Sequence, residues 1–181
     1  MKASLKEIKR EINDIERGKK DICKISEDAQ KYLNRLNPSQ VYASYYIYAK
    51  NKKKIFYPYR EDSPFEISGK WLIFQMKGGK LDNVWKEVKR LTEKGLLVDE
   101  CKVSAMIKMP DIPNKDVGVI CVYTYNSNDK KDLLRVAKRL FNIKGVERLV
   151  YKENIPKDDK KSKYVVTKDN YRKILQDKSQ M

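Results

Sequence analysis

Six tyrosines, Tyr42, Tyr45, Tyr46, Tyr48, Tyr57 and Tyr59, fall in one short stretch that also holds the run Lys52, Lys53 and Lys54. Flat rings on which bases stack, set beside ammonium groups that attract phosphates, are the residue types of a single-stranded nucleic-acid surface. Tyrosines are also ordinary strand formers, so the same cluster serves equally as sheet packing. Lys102 and Ser104, in the run KVSAMIK, make a second constellation. On a strand, residues two apart share a face, which allows a lysine base beside a serine nucleophile and establishes nothing more. Lys131, Arg135, Lys138 and Arg139 line one helical face, either a phosphate contact or a solvated surface.

The chain of 181 residues contains no histidine. Ser-His and Cys-His nucleophiles, histidine metal clusters and a histidine general acid are thereby excluded. The three cysteines, Cys23, Cys101 and Cys121, are odd in number and far apart, which reads as reduced packing residues rather than disulfides or a zinc site. No metal or cofactor is expected.

Lys and Arg number 41 against 25 acidic residues, a net charge of +16. Such a field attracts polyanions, with nucleic acid, nucleotides and anionic membranes as the partner classes, unless the lysines merely reflect a biased genome. The excess belongs to the middle of the chain as well as its ends: residues 70–150 carry 17 basic and 10 acidic side chains. No stretch approaches the roughly 18 apolar residues of a membrane span, and Met1 to Lys6 lacks an apolar signal core, so a cytoplasmic chain without a membrane role is expected.

The elements that must position these residues follow from periodicity. Leu5, Ile8, Ile12, Ile15, Ile22, Ile25, Ala29, Tyr32 and Leu36 form one amphipathic stripe, predicting a long helix or two helices broken at Gly18. That stripe either packs on the core or pairs with another helix, from a second copy or a partner protein, through residues 2–36. Val41 to Ala49 and Ile55 to Tyr59 predict two strands joined by a basic turn. Lys70 to Met76 predicts a strand, and Leu81 to about Lys94 a helix capped by Asp82, buried through Leu81, Val84, Trp85, Val88 and Leu91, and stopped by Gly95. Residues 101–109 and Val117 to Tyr125 predict strands, the second almost wholly apolar and central. Asn128 or Asp129 caps a helix whose Leu133, Leu134, Ala137, Leu140 and Phe141 face inward, and Arg148 to Tyr151 and Tyr164 to Thr167 predict short strands. The short link at Pro110 to Asp116 favours antiparallel pairing, giving an α+β fold with a mainly antiparallel sheet and helices on one face. The expected division is a helical extension over 1–37, an α+β domain over 38–168 and a basic tail over 169–181.

Three pieces, in order, resemble the cap-binding translation initiation factor 4E family. They are Gly69-Lys70-Trp71-Leu72-Ile73 with the helix containing Asn83-Val84-Trp85, the strand from Cys101 to Lys108, and Val119 to Thr124 with the acidic cap and the helix of Leu133 and Leu134. The runs GKWLIF, KVS and VICVYT are closer still to an offshoot of that superfamily, the DUF1917 or basophilic-leukaemia-expressed-protein-like group. The resemblance covers a little over half of the chain and implies a curved sheet.

In the 4E family a positively charged guanine is held between two Trp rings, with an acidic group on its base edge and basic residues on its phosphates. Here Trp71 and Trp85 fall on the family's structural positions, so neither is expected to stack. By this resemblance Tyr59 occupies the place of one stacking residue and Glu61 that of the base-edge acceptor. The second ring comes from the Tyr42 to Lys54 region, where Tyr46, Tyr48 or a basic residue is available. Lys108 matches the strand-end phosphate contact, Lys115 lies in the following loop, and Arg60 adds a third basic group beside Tyr59.

The reading that follows is a non-catalytic RNA- or nucleotide-binding module of the 4E-like fold, not a standard methylated-cap binder. The alternatives are an enzyme acting on a phosphorylated substrate, of a phosphothreonine-lyase kind with Lys102 or Lys108 as base, and a scaffold acting through residues 2–36.

Overall fold

The computed structural model describes residues 3–53, 68–107, 116–154 and 162–176. The N-terminal stripe folds as two helices, α1 (Leu5–Glu16) and α2 (Glu27–Leu33), broken at Gly18, whose φ of 70° suits glycine. Ser4 and Glu7 form a capping box at α1, and the Ser26 hydroxyl caps α2 while donating to Glu11 at 2.6 Å, which ties the pair together. Ile15, Ala29 and Leu33 are buried, and Ile12, Ile22, Ile25, Tyr32 and Leu36 pack against the same core. The stripe is therefore turned onto the chain's own core; Leu5, at its start, is exposed.

A 3-10 turn, Pro38–Gln40, leads to β1 (Tyr46–Lys50). The strand expected over Val41 to Ala49 is thus shorter at its start. The Ser44 hydroxyl bonds the Gln30 side chain and the Tyr46 carbonyl, while the carbonyls of Val41 and Tyr45 accept from Met106 and Ala105 outside a regular ladder. The strand expected over Ile55 to Tyr59 lies outside the described residues. The edge of β1 that faces away from the sheet is satisfied by α2: Asn34 accepts from the Tyr48 N–H at 2.9 Å, and Gln30 donates to the Tyr46 carbonyl at 3.1 Å. An open strand edge invites pairing with another chain, and these two amides close it.

Next come β2 (Gly69–Met76) and α3 (Gly79–Glu93). Asp82 is not the cap of α3: the helix begins after Gly78, at φ 90°, and the Asp82 carboxylate instead accepts from the Ser39 N–H at 3.0 Å and the Ser39 hydroxyl at 2.5 Å. The predicted buried face is present in Leu81, Val84, Trp85 and Val88, with Leu91 half-buried, and the chain leaves the helix through Gly95 at φ 67°. The remaining elements are β3 (Glu100–Ser104), β4 (Val117–Thr124), α4 (Lys130–Phe141) capped by the Asp129 side chain, β5 (Arg148–Glu153), β6 (Tyr164–Thr167) and α5 (Tyr171–Gln176).

Among the described residues six strands form one curved sheet in the order β1-β3-β4-β2-β5-β6 with every neighbouring pair antiparallel. This is the expected α+β class. Alternation then divides the strands between two faces. Ile47, Ala49, Trp71, Ile73, Cys101, Val103, Ile120, Val122, Leu149, Tyr151 and Val166 meet the helices and form the core with residues of α3 and α4. Each such large apolar side chain stabilises the fold by ~1.5–3 kcal/mol when fully buried.

The Gly69 position shows why its motif needs glycine. The Trp71 and Tyr151 rings meet edge-on with centroids 4.9 Å apart, and the Tyr151 hydroxyl is 2.7 Å from the Thr124 hydroxyl. A Cβ on Gly69 would stand 2.3 Å from the Tyr151 oxygen and 2.8 Å from the Lys152 carbonyl. Glycine at this point lets a phenol cross under the strand to its buried partner.

Candidate nucleic-acid interface

The other face of the sheet carries the residues of opposite parity. Among the described residues none of the helical core side chains belongs to its apolar cluster, which consists of Leu72, Cys121 and Val150 with Val119 and Tyr123 packed against them. Register fixes who meets whom. Tyr48 lies opposite Lys102, Lys102 opposite Cys121, Cys121 opposite Leu72, and Leu72 opposite Val150. One step along, Tyr123 lies opposite Lys70 and Lys70 opposite Lys152, while Tyr46 lies opposite Ser104. The face is therefore aromatic and basic over β1, β3 and the Tyr123, Lys70 and Lys152 ends of β4, β2 and β5, and apolar around Leu72, Cys121 and Val150.

Rings and ammonium groups alternate in the aromatic half. Lys102 Nζ is 4.0 Å from the centroid of the Tyr46 ring and 5.9 Å from that of Tyr123, and Lys70 Nζ is 5.9 Å from Tyr123 on its other side. A cation over an aromatic face is attracted by ~0.5–1 kcal/mol at exposed sites, which holds the Lys102 side chain along the rings. Tyr46 and Tyr48 have centroids 6.5 Å apart with planes tilted by 59°. All three tyrosines are half-buried.

Partial burial pushes the phenols of Tyr46, Tyr48 and Tyr123 above their ordinary range, Tyr123 furthest. They are neutral flat rings at physiological pH. Burial likewise pushes the Cys121 thiol up, against the lowering pull of Lys102 and Lys70, and raises Cys101 on the helix face to about 12. Both remain thiols, in keeping with packing roles.

Of the sequence-derived site residues, Tyr46 and Tyr48 are brought side by side on this face. Tyr59, Arg60, Glu61, Lys108 and Lys115 lie outside the described residues. Trp71 and Trp85 are 0% and 1% exposed, so neither presents a ring to a ligand, as expected. Lys102 and Ser104 have the same parity on β3, but the Ser104 hydroxyl is buried, accepts the Val119 N–H at 2.9 Å and lies 3.0 Å from where a Cβ on Gly118 would stand beside Leu81 of the core, while Lys102 rests on Tyr46. Hence the serine is engaged in holding β3 to β4, and no hydrogen bond activates it among the described residues. Arg135 on α4 pairs with Asp132 at 2.7 Å and donates to the Leu97 carbonyl at 2.9 Å, so its helical face is partly internal.

Tyr123, Lys70 and Lys152 join this candidate face although the sequence reading did not single them out. A signal for them existed: Lys70 precedes the buried Trp71, and Tyr123 follows the buried Val122. Parity alone puts both lysine and tyrosine on the face away from the core.

Order, pairing and face assignment together define a fold of the initiation factor 4E type. The chain is similar to Ascaris suum eIF4E-3, solved in complex with an m7G cap, at a TM-score of 0.52 and 16% identity over 78% of this chain and 80% of that one. A second structure of that protein, with an m2,2,7G cap, matches at a TM-score of 0.42 and 16% identity; it covers 62% of this chain, which spans 65% of its length. C. elegans eIF4E-3, in a complex with the 4E-binding protein Mextli and a cap analog, matches at 0.43 and 18% identity over 67% and 68% of the two chains. The family itself is shown by residues 65–156, just over half of the chain, which match the model of basophilic leukemia-expressed protein Bles03; this chain belongs to that family. No helix among the described residues is long and apolar enough to cross a membrane.

Proposed function

We propose that this chain is a non-catalytic module that binds single-stranded RNA or a nucleotide on the open face of its sheet. The observation that carries the reading is the alternation Tyr46, Lys102, Tyr123, Lys70 across four paired strands, β1, β3, β4 and β2. A base laid on a tyrosine gains ~1–3 kcal/mol by alanine substitution, whatever its identity, because every base has a π-face. The neighbouring ammonium groups then meet the phosphates, an attraction that falls steeply with salt.

The same arrangement disfavours a methylated cap. A cationic guanine on Tyr46 would share the ring with Lys102, 4.0 Å from its centroid. With the base on the opposite face of the ring at a contact of ~3.5 Å, the two like charges stand about 7.5 Å apart and repel by ~0.5 kcal/mol in bulk water and ~2 kcal/mol at an effective dielectric of 20. That offsets the ~0.5–1 kcal/mol a cation gains over an exposed ring, so neutral bases are preferred. On the strength of the family resemblance, the proposal assigns Tyr59 and Glu61 to the base and Lys108, Lys115 and Arg60 to the phosphates. A cytoplasmic location is part of the same reading.

The test is fluorescence anisotropy with a labelled single-stranded oligoribonucleotide at several salt concentrations, on the full chain and on Tyr46→Ala, Tyr123→Ala and the pair Lys108→Ala with Lys115→Ala. Affinity is expected to fall with salt and in every variant. Binding that is flat across the salt series, or unmoved by both tyrosine variants, would reject the reading.

A further inference from the structure

Beyond the end of β1, the segment after α2 (Arg35 to Asn37), the turn after β1 (Lys52 and Lys53) and α3 line a groove of about 730 Å³. Leu36 is half-buried along its wall. Seven cationic side chains line it against two acidic ones, Asp82 and Glu93. Both acids are already engaged: Asp82 accepts twice from Ser39, and Glu93 pairs with Lys52 at 3.0 Å. The Lys89 ammonium donates one hydrogen bond to the Asn34 carbonyl at 2.5 Å. Arg35, Lys86 and Lys94 are exposed and make no side-chain ion pair or hydrogen bond among the described residues. Uncompensated positive charge gathered in one concavity focuses the field and selects anions.

The groove does not end there. A second cavity of about 680 Å³, lined by Arg35, Lys52, Lys89 and Glu93 in common with the first, runs on between α2 and β1 as far as Tyr48. Tyr48 is also the outermost ring of the open face, beside Tyr46. The two cavities thus join the aromatic platform, around the edge of the sheet, to the groove; in the second, Lys31, Lys50 and Lys52 pair with Glu27, Glu100 and Glu93, and Arg35 with Lys89 carries the positive charge on into the first. Burial, opposed by Glu93 and assisted by the charge of Lys52, lowers the pKa of Lys89, as befits a cation crowded by another while no anion is present.

We propose that this groove is a phosphodiester-binding site for the continuation of the RNA strand whose bases stack on the open face, with Arg35, Lys86 and Lys94 as its backbone contacts. The inference rests on the RNA-binding reading and extends it from a pocket for one nucleotide to a track that turns the corner of the sheet. It predicts that affinity grows with strand length, and that the growth belongs to the groove.

The test compares labelled oligouridylates of about four and about sixteen nucleotides, the span of single-strand site sizes. They are titrated into the full chain and into the triple variant Arg35→Gln, Lys86→Gln, Lys94→Gln, with a charge-keeping control, Arg35→Lys with Lys86→Arg. In the native chain the long strand binds more tightly. In the triple variant that advantage drops by about tenfold or more and the slope of log affinity against log salt falls by roughly 2, as expected for three lost contacts at about 0.7 each. The short strand, held by the tyrosines, changes less than about twofold, and the control behaves as native. All three residues are exposed, and an unchanged thermal melt verifies that the variant is folded.

If the long strand retains its affinity and salt slope in the folded triple variant, or gains nothing over the short strand in the native chain, the groove is not a track while the platform reading stands. Failure of the native chain to bind either strand overturns both.

Discussion

The two faces of one sheet make opposite use of the same residue type. On the helix-covered face Tyr151 is 0% exposed, edge-on to Trp71, with its hydroxyl matched inside the core by Thr124. On the open face Tyr46, Tyr48 and Tyr123 are half-buried, with lysine ammonium groups against Tyr46 and Tyr123. The difference is parity, since adjacent residues of a strand point to opposite faces. Ring content alone says little about binding; which rings meet helices and which meet cations decides it.

The harshest way to break the comparison is to empty the covered face. Trp71→Ala removes a wholly buried ring and is expected to cost ~3–5 kcal/mol, read as a lower urea midpoint. RNA affinity should vanish only in so far as the protein unfolds. A midpoint shift under about 1 kcal/mol would show that Trp71 is not the packing centre that its burial implies.

Somewhat smaller is Gly69→Ala, which forces a methyl to within 2.3 Å of the Tyr151 hydroxyl and against the Lys152 carbonyl. Overpacking of this kind costs ~1–3 kcal/mol. The double variant Gly69→Ala with Tyr151→Phe takes away the nearest atom and should recover part of the loss. Strict additivity of the two in thermal melts would mean that they do not clash.

On the open face the readout changes from stability to affinity. Tyr123→Ala and Tyr46→Ala are expected to weaken single-stranded RNA binding by ~1–3 kcal/mol each while moving the melting transition far less than Trp71→Ala does. An equal loss of stability on the two faces would erase the distinction.

The gentlest change is Lys102→Gln, which leaves both rings in place and removes the cation between them. Affinity for guanosine monophosphate should fall by ~0.5–1 kcal/mol while that for its 7-methyl form falls less or rises, so the preference for the neutral base narrows. An unchanged ratio in isothermal titration would remove Lys102 from the argument about the cap.

Much of the fold was legible because its signals are local. The break at Gly18, the inward faces of α3 and α4, the apolar strand β4 and the cap at Asp129 follow from spacing and side-chain chemistry that act within a few residues. Asp82 was misread for the same reason: an acid at a helix start suits a cap, but Ser39, distant in sequence, claims it. β1 lost its first residues to Gln30 and Ser44, again a tertiary contact that competes with the ladder.

The candidate site was legible only in half. Tyr46 and Tyr48 stood out as a cluster, whereas Tyr123, Lys70 and Lys102 reach them through pairing of strands far apart in the chain, and register between distant strands is not written in either strand alone. The groove beyond the end of β1 was hidden for the same reason, since Arg35, Lys52 and Lys89 meet only once α2 and α3 have packed.

The most direct measurement is an amide chemical-shift titration of the labelled chain with single-stranded RNA. The account predicts that the largest shifts fall on Tyr46, Tyr48, Lys102, Tyr123 and Lys70, with Leu133 to Leu140 of α4 unmoved. Shifts concentrated on α4, with β1, β3 and β4 silent, would contradict it.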